Sequence, residues 1–381
     1  MRITDVQHQE RAHRVLQRAL GSNRMPHAYI FHGPPGVGKG MTAIRLARLL
    51  LCNEPVSIDP AVGTGDGTAI AWRDACGRCR NCELVEAGTH PDLHLISKEL
   101  HQHHPDPSVR QRKGLDLSVE VIRHFLIEPA GKRSACGGAK VFVVGEAERM
   151  TLAAQNALLK TLEEPPAGTF LILLVEQLEQ LMPTILSRSQ QVAFCALPRE
   201  FVHAVLTGDR EVPGEAARFC AALSDGRLGV ATEYAEDDLF ALKRQVLSEW
   251  VNYDGRAPTE LARTLEDAAR ELAKRQRQRN AQWSQGDALR RGLRTILSVL
   301  AGAYRDCLLA GCGGQIEMIH ADQPEVIAGL AARWSGRAAD VIELIGHAER
   351  QIEQNVNPTL ALEGLVVRAW AQRAKAPASM R

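Results

Sequence analysis

Three features of this 381-residue chain predict a parallel-sheet α/β domain followed by helical domains. Apolar runs alternate with helical patterns through the first half. A glycine-rich segment ending in lysine joins the first such run to the first such helix. The second half carries helical periodicity and no strand signal. Residues 5–20 place Val6, Ala12, Val15, Leu16 and Leu20 at helical spacing, and Gly21-Ser22-Asn23 stops that helix. Residues 27–32 form a short apolar strand that runs into Gly33-Pro34-Pro35-Gly36-Val37-Gly38-Lys39-Gly40, and 41–51 resume a helix with Ala43, Leu46, Ala47, Leu50 and Leu51 on one face. Residues 53–75 and 99–115 read as loops, and 117–126 and 151–163 as helices. The continuous apolar runs 141–144 and 170–175 read as buried parallel strands. Beyond Pro198 come short helices broken at Gly208, Gly214 and Gly226, then longer ones at 239–251, 259–274, 288–309 and 339–355. Three domains are therefore expected, at 1–197, 198–237 and 238–381.

Composition narrows the class. A content of 45% hydrophobic and 24% charged residues excludes disorder over the whole length. A formal net charge of +1 argues against a protein that coats nucleic acid by charge alone. No run approaches the apolar length of a membrane span, and the first residues lack the apolar core of a signal peptide, so a cytoplasmic protein is expected. The nine cysteines are odd in number, which speaks against a disulfide framework.

Gly33-x4-Gly38-Lys39 is the core of a phosphate loop (Walker A). Its glycines let backbone N–H groups wrap a phosphate, the following helix start adds partial positive charge, and the lysine reaches the outer phosphates. Gly33, Gly36, Gly38 and Lys39 are the candidate nucleotide-binding residues, with ATP the nucleotide such a loop can take. The next position should carry the hydroxyl that holds Mg²⁺, and it is Gly40. Thr42 lies roughly 200° further round the helix and does not replace it. After strand 141–144, where an aspartate should hold the same ion, stands Gly145, followed by Glu146. Glu146 is a candidate to polarise water, though as a surface acid at a helix start it needs no such role. Loss of both magnesium ligands costs roughly 10³-fold or more in rate, so little or no hydrolysis is expected, and Mg²⁺ is poorly supported.

Cys52-x23-Cys76-x2-Cys79-x2-Cys82 fits a four-thiolate structural zinc site with no ligand position left open for catalysis. Gly77 eases the turn, and Arg78 and Arg80 are placed to soften the charge of the filled site. An iron–sulfur cluster and four unconnected cysteines are the alternatives. Cys136, Cys195, Cys220, Cys307 and Cys312 read as ordinary small fillers. His90, His101, His103 and His104 read as exposed loop residues, and the basic run 274–279 as a solvated helix end that can also meet phosphates.

Several segments together resemble a family. They are Arg24-x-Pro26-His27-Ala28-Tyr29, Glu146-Ala147-Glu148-Arg149-Met150, the run from Gln155-Asn156-Ala157-Leu158-Leu159-Lys160 to Thr161-Leu162-Glu163-Glu164-Pro165-Pro166, and Leu181-Met182-Pro183-Thr184-Ile185-Leu186-Ser187-Arg188-Ser189. They are similar to the bacterial clamp-loader AAA+ subunits of DNA polymerase III, and Asn355-Val356-Asn357-Pro358-Thr359-Leu360-Ala361-Leu362-Glu363 resembles the delta-prime subunit family in particular. The resemblance implies an AAA+ domain with an inserted zinc module, a small helical lid and an all-helical collar. It further implies a hetero-pentamer with gamma/tau-type motor subunits and delta, which acts on a sliding clamp and primed DNA in replication, with no membrane partner. In that setting a subunit with a degenerate ATP site acts as a stator and is not a catalyst alone. Arg188 is then an arginine finger donated in trans to a neighbour's triphosphate. The family's polar sensor position holds Val175 here, its lid arginine aligns near Gly229 with Arg227 two residues early, and its Ser-Arg-Cys motif ends in Ser189. Two other readings stay open: a hydrolysing gamma/tau-type motor, and a zinc-containing scaffold without nucleotide function.

Overall fold

The computed structural model describes residues 3–21, 25–58, 72–112, 114, 116–280, 283–312, 317–334, 336–354 and 356–374. The readings of Ser22-Asn23, Arg24, Asn355, the Cys312 side chain and residues 59–71 of the expected 53–75 loop lie outside the described residues. The chain divides into two compact units, Met1–Leu197 and Pro198–Arg381.

The first unit is built on a five-stranded parallel sheet of order β4-β5-β6-β1-β7. Its strands are β1 (Ala28–His32), β4 (Leu93–Ile96), β5 (Lys140–Val144), β6 (Thr169–Val175) and β7 (Gln190–Ala193), while β2 (Val56–Ile58) and β3 (Trp72–Asp74) form a separate antiparallel pair. Side chains alternate between the two faces of the central strands. Tyr29, Phe31, Val141, Val143 and Ile172 pack against α1 (Glu10–Gly21) and α2 (Lys39–Leu51) through Leu16, Ala43, Leu46 and Ala47. Ala28, Ile30, Phe142, Val144, Leu171 and Leu173 pack on the other side against Leu158 and Leu162 of the helix Leu152–Glu163. Both faces are covered, which is why β5 and β6 read as unbroken apolar runs. Thr151 starts the Leu152–Glu163 helix by accepting the Ala154 N–H.

Several expectations are corrected. The first helix begins at Glu10, and Val6, though buried, lies before it. The expected 53–75 loop contains β2 and β3. The 117–126 helix is a short α segment, Val119–Ile122, continued by a π turn, Arg123–Ile127. His90 and His104 are buried, not exposed, and each ring Nδ1 accepts a backbone N–H two residues on. Cys136 and Cys195 are exposed, while Cys220 and Cys307 are buried fillers as expected.

The second unit is helical throughout its described residues. Helices Arg199–Gly208, Gly214–Ser224 and Leu228–Glu236 precede Leu239–Asn252, Pro258–Arg279, Gln285–Cys312, Pro324–Arg333, Ala338–Glu353 and Pro358–Ala374. The basic run is not simply solvated. Gln276 donates to the buried carboxylate of Asp237 at 2.9 Å, Arg279 pairs with the same carboxylate at 2.5 Å, and Arg275 donates to the Asp237 carbonyl. Half of the run is thereby spent on internal structure. Gly292 marks a close helix approach: a Cβ there would lie 2.3 Å from the Ala269 carbonyl oxygen. Alanine gains about 1 kcal/mol of helix propensity, but overpacking against immovable backbone costs about 1–3 kcal/mol, and the clash wins. Gly292→Ala is therefore expected to lower Tm by about 2–4 °C in a thermal melt, for a net loss of about 1 kcal/mol. An unchanged Tm contradicts the close approach.

Candidate functional site

The phosphate loop leaves the carboxyl end of β1, the end of a parallel sheet where ligands bind in such folds. Gly33, Gly36 and Gly38 all have positive φ, at 140°, 73° and 101°. At Gly33 only glycine fits, because a Cβ would lie 2.2 Å from the Phe194 carbonyl oxygen just past β7. Lys39 opens α2 and is turned inward. Its ammonium donates to the carbonyls of Gly33 and of Pro34, the latter at 2.7 Å. Burial lowers the Lys39 pKa, and the carboxylates of Glu176 and Glu148 act against that shift.

Neither Gly40 nor Gly145 supplies a side chain that could hold magnesium. A side chain at Gly40 would meet Leu174 at an ordinary 3.8 Å, and one at Gly145 would meet the Ile96 carbonyl at 3.7 Å. Sterics therefore do not explain either glycine; what is missing is the ligand chemistry. Thr42 is fully buried and donates its hydroxyl to the Gly38 carbonyl at 2.9 Å, so it does not face a nucleotide. Val175 is buried at the end of β6, and its carbonyl accepts the Gly33 N–H.

Glu146 is held between Lys98, at 3.2 Å, and Arg149, at 3.0 Å. The acids that act on Lys39 are instead Glu176 and then Glu148, which the sequence suggests only as a surface acid beside Glu146. One Glu148 oxygen accepts the Glu176 N–H at 3.4 Å, and the other is buried without a partner. Glu148 lies two residues beyond Glu146, shortly after the end of β5. Burial, followed by the like charges of Glu176 and Glu146, raises the Glu148 pKa.

Arg188 stands at the other end of the sheet. It precedes β7, which pairs in parallel with β1 in the register Tyr29↔Gln190 to His32↔Ala193. Arg188 thus lies level with the start of β1, about six residues or roughly 20 Å along the strands from Gly33. Its guanidinium pairs with Glu163 at 2.8 Å and donates to the Thr184 carbonyl at 3.1 Å and the Ser187 hydroxyl at 3.3 Å. Arg227, in the second unit, is bound by its Nε to the Ser224 carbonyl at 2.6 Å.

The four expected cysteines converge. The Sγ atoms of Cys52, Cys76, Cys79 and Cys82 all lie within 4.8 Å of one another, with Cys52–Cys79 at 3.9 Å and Cys76–Cys82 at 4.0 Å. A tetrahedral ion with metal–sulfur bonds of about 2.3 Å needs sulfurs about 3.8 Å apart, so the cage fits one. The Cys76 N–H donates to the Cys52 sulfur and the Cys79 N–H to the Cys76 sulfur, which favours thiolates. Burial pushes the Cys52 thiol up to about 12. Burial also opposes the Cys79 thiolate, but the N–H groups of Cys82 and Asn53 bring that thiol down to about 6. Arg78 and Arg80 are exposed. The cation at the cage is Arg48, buried on α2, whose guanidinium donates to the Gly77 carbonyl at 3.4 Å and pairs with Glu86 at 3.0 Å. Its spacing of four residues from Cys52 was the available signal.

A glycine-rich loop at the carboxyl end of an inner strand, in a parallel sheet with helices on both faces, defines a phosphate-loop domain. The family described as DNA polymerase III, delta subunit matches residues 8–198, and the chain belongs to that family. The DNA polymerase III subunit delta' of Bacillus subtilis is 31% identical over 236 residues, covering 62% of each chain. The DNA polymerase III subunit gamma/tau of Mycobacterium tuberculosis strain H37Rv is 30% identical over 204 residues, covering 54% of this chain and 30% of that one. A solved gamma subunit-related protein of Thermotoga maritima covers 96% of this chain and 99% of its own, with a TM-score of 0.43 and 17% identity. Among the described residues no helix is long and apolar enough to cross a membrane.

The raised Glu148 pKa fixes the sign of a pH effect. Protonation of Glu148 is favoured in the fold, so its contribution to stability is present below its unfolded value of 4.5 and is lost as pH rises through the higher folded value. Glu148→Gln is therefore expected to raise Tm at pH 7 and to leave it unchanged near pH 4. A lower Tm at pH 7 contradicts the burial-dominated account.

Proposed function

We propose that this chain is a delta-prime-type subunit of a DNA polymerase III clamp loader. It is a stator whose own nucleotide site is degenerate and whose Arg188 completes the site of a neighbouring gamma/tau-type motor subunit. The placement of the phosphate loop and Arg188 at opposite ends of the β1–β7 pair supports this reading most strongly. An arginine side chain cannot span roughly 20 Å to its own loop, so any phosphate that it meets belongs to another chain. The two missing magnesium ligands, Gly40 and Gly145, agree. A planar, permanently charged guanidinium directed at a γ-phosphate stabilises the charge that develops during transfer, worth about 10³–10⁵-fold where such fingers act.

In this reading residues 198–237 serve as the lid and 238–381 as the collar that joins a hetero-pentamer with motor subunits and delta in the cytoplasm. Clamp and primed DNA are met through the complex. Lys39 keeps enough of the loop to hold a phosphate, and ATP binding without turnover is compatible with it. The four-cysteine cage holds a structural Zn²⁺ that ties the end of α2 to the start of α3 (Arg80–Glu86).

Two experiments test these points. In a loader reconstituted with its motor subunits and delta, DNA-stimulated ATP hydrolysis is expected to fall far more with Arg188→Ala than with Lys39→Ala, and turnover at the adjoining motor site to fall by about 10³-fold or more. An equal or larger loss with Lys39→Ala, or brisk hydrolysis by the isolated chain, favours a motor instead. Elemental analysis of the purified chain is expected to find one zinc, which Cys79→Ser releases with a drop in Tm. Full zinc retention in that variant contradicts the four-thiolate cage.

A further inference from the structure

We infer that Glu163 is an internal stand-in for the neighbour's phosphate: its carboxylate holds the Arg188 guanidinium when no triphosphate is presented and yields it when one is. This rests on the trans role proposed for Arg188. The ion pair is 2.8 Å long and engages Arg188 Nη2, while Nη1 donates to the Thr184 carbonyl and the Ser187 hydroxyl. Both outer nitrogens of the fork are thus occupied within the chain, and those are the donors that a γ-phosphate would accept from. Glu163 is the last residue of its helix, where the partial negative charge of the helix end and the adjacent Glu164 make an added cation favourable. The carboxylate therefore has its own electrostatic reason to hold an arginine.

The contact is also releasable. Side chains of Arg188 and Glu163 are 36% and 49% exposed, so water competes for both. Exposed pairs of this kind bias an equilibrium only weakly, by about 2–5-fold, and salt weakens them further. A triphosphate carries more charge than one carboxylate. The two anions repel each other across the same fork, so phosphate capture displaces Glu163 and does not share the arginine with it. Lys160, exposed on the preceding turn of the same helix, is the cation left near Glu163 after release.

The test uses the reconstituted loader with ATP, primed DNA and clamp. Glu163→Gln keeps the shape and removes the charge. The apparent KM for ATP is expected to drop about 2–5-fold, with the change in KM and not in kcat, and the gap from wild type is expected to close as salt rises toward 0.5 M. Glu163→Asp, which keeps the charge, is expected to bring KM back toward wild type, a rescue that a purely structural role would not give. Combined with Arg188→Ala, Glu163→Gln is expected to have no further effect. If Arg188→Ala lowers hydrolysis but Glu163→Gln leaves KM unchanged or raises it, the stand-in role is overturned and the finger stands. If Arg188→Ala leaves hydrolysis intact, the finger itself is overturned and the stand-in role with it.

Discussion

Parallel pairing of β7 with β1 is the constraint on which the rest depends. Because the two strands run the same way, the segment that follows β1 and the segment that precedes β7 are forced to opposite ends of the sheet. The first carries the phosphate loop and the second carries Arg188. No rotamer of either side chain undoes that separation, since it is set by the rise of the strands and the register of their hydrogen bonds. Gly33 tightens the arrangement: its missing Cβ lets the loop start against the Phe194 carbonyl just beyond β7. The same strand pair thus positions the loop at one end and the arginine at the other.

The loop itself has taken on a folding role. Lys39 is buried and satisfied by the carbonyls of its own loop, with the carboxylates of Glu148 and Glu176 supplying countercharge. A lysine that caps the loop in this way keeps its shape without phosphate. The loop motif therefore persists structurally while the positions that would hold magnesium, Gly40 and Gly145, contribute no ligand although each has room for a Cβ. A hydrolase needs the metal far more than the cradle, because the metal neutralises charge that builds up only during transfer.

Much of this was legible from the chain alone, for physical reasons. β5 and β6 are covered on both faces and so announced themselves as apolar runs, and the loop glycines were fixed by spacing. The thiolate spacing was equally legible, and the four sulfurs meet. Edge strands were not. β7 begins Gln190-Gln191 and both residues are exposed, while β4 mixes His94 with a largely exposed Leu95, so neither carries a buried-strand pattern. Long-range partners were hidden too. Nothing local tells Arg275, Gln276 and Arg279 that Asp237 awaits them, or that Arg48 reaches the Gly77 carbonyl. Glu146 and Glu148 could not be told apart until the turn after β5, where Glu146 takes a left-handed conformation, directed them to different partners.

The most direct measurement is a high-resolution structure of the assembled loader with a non-hydrolysable ATP analogue bound to the motor subunits. The account predicts Arg188 Nη atoms about 3 Å from the γ-phosphate held by the adjoining motor, with no magnesium at this chain's own loop. Arg188 remote from every nucleotide, or a magnesium–triphosphate complex fully coordinated at Lys39, would contradict it.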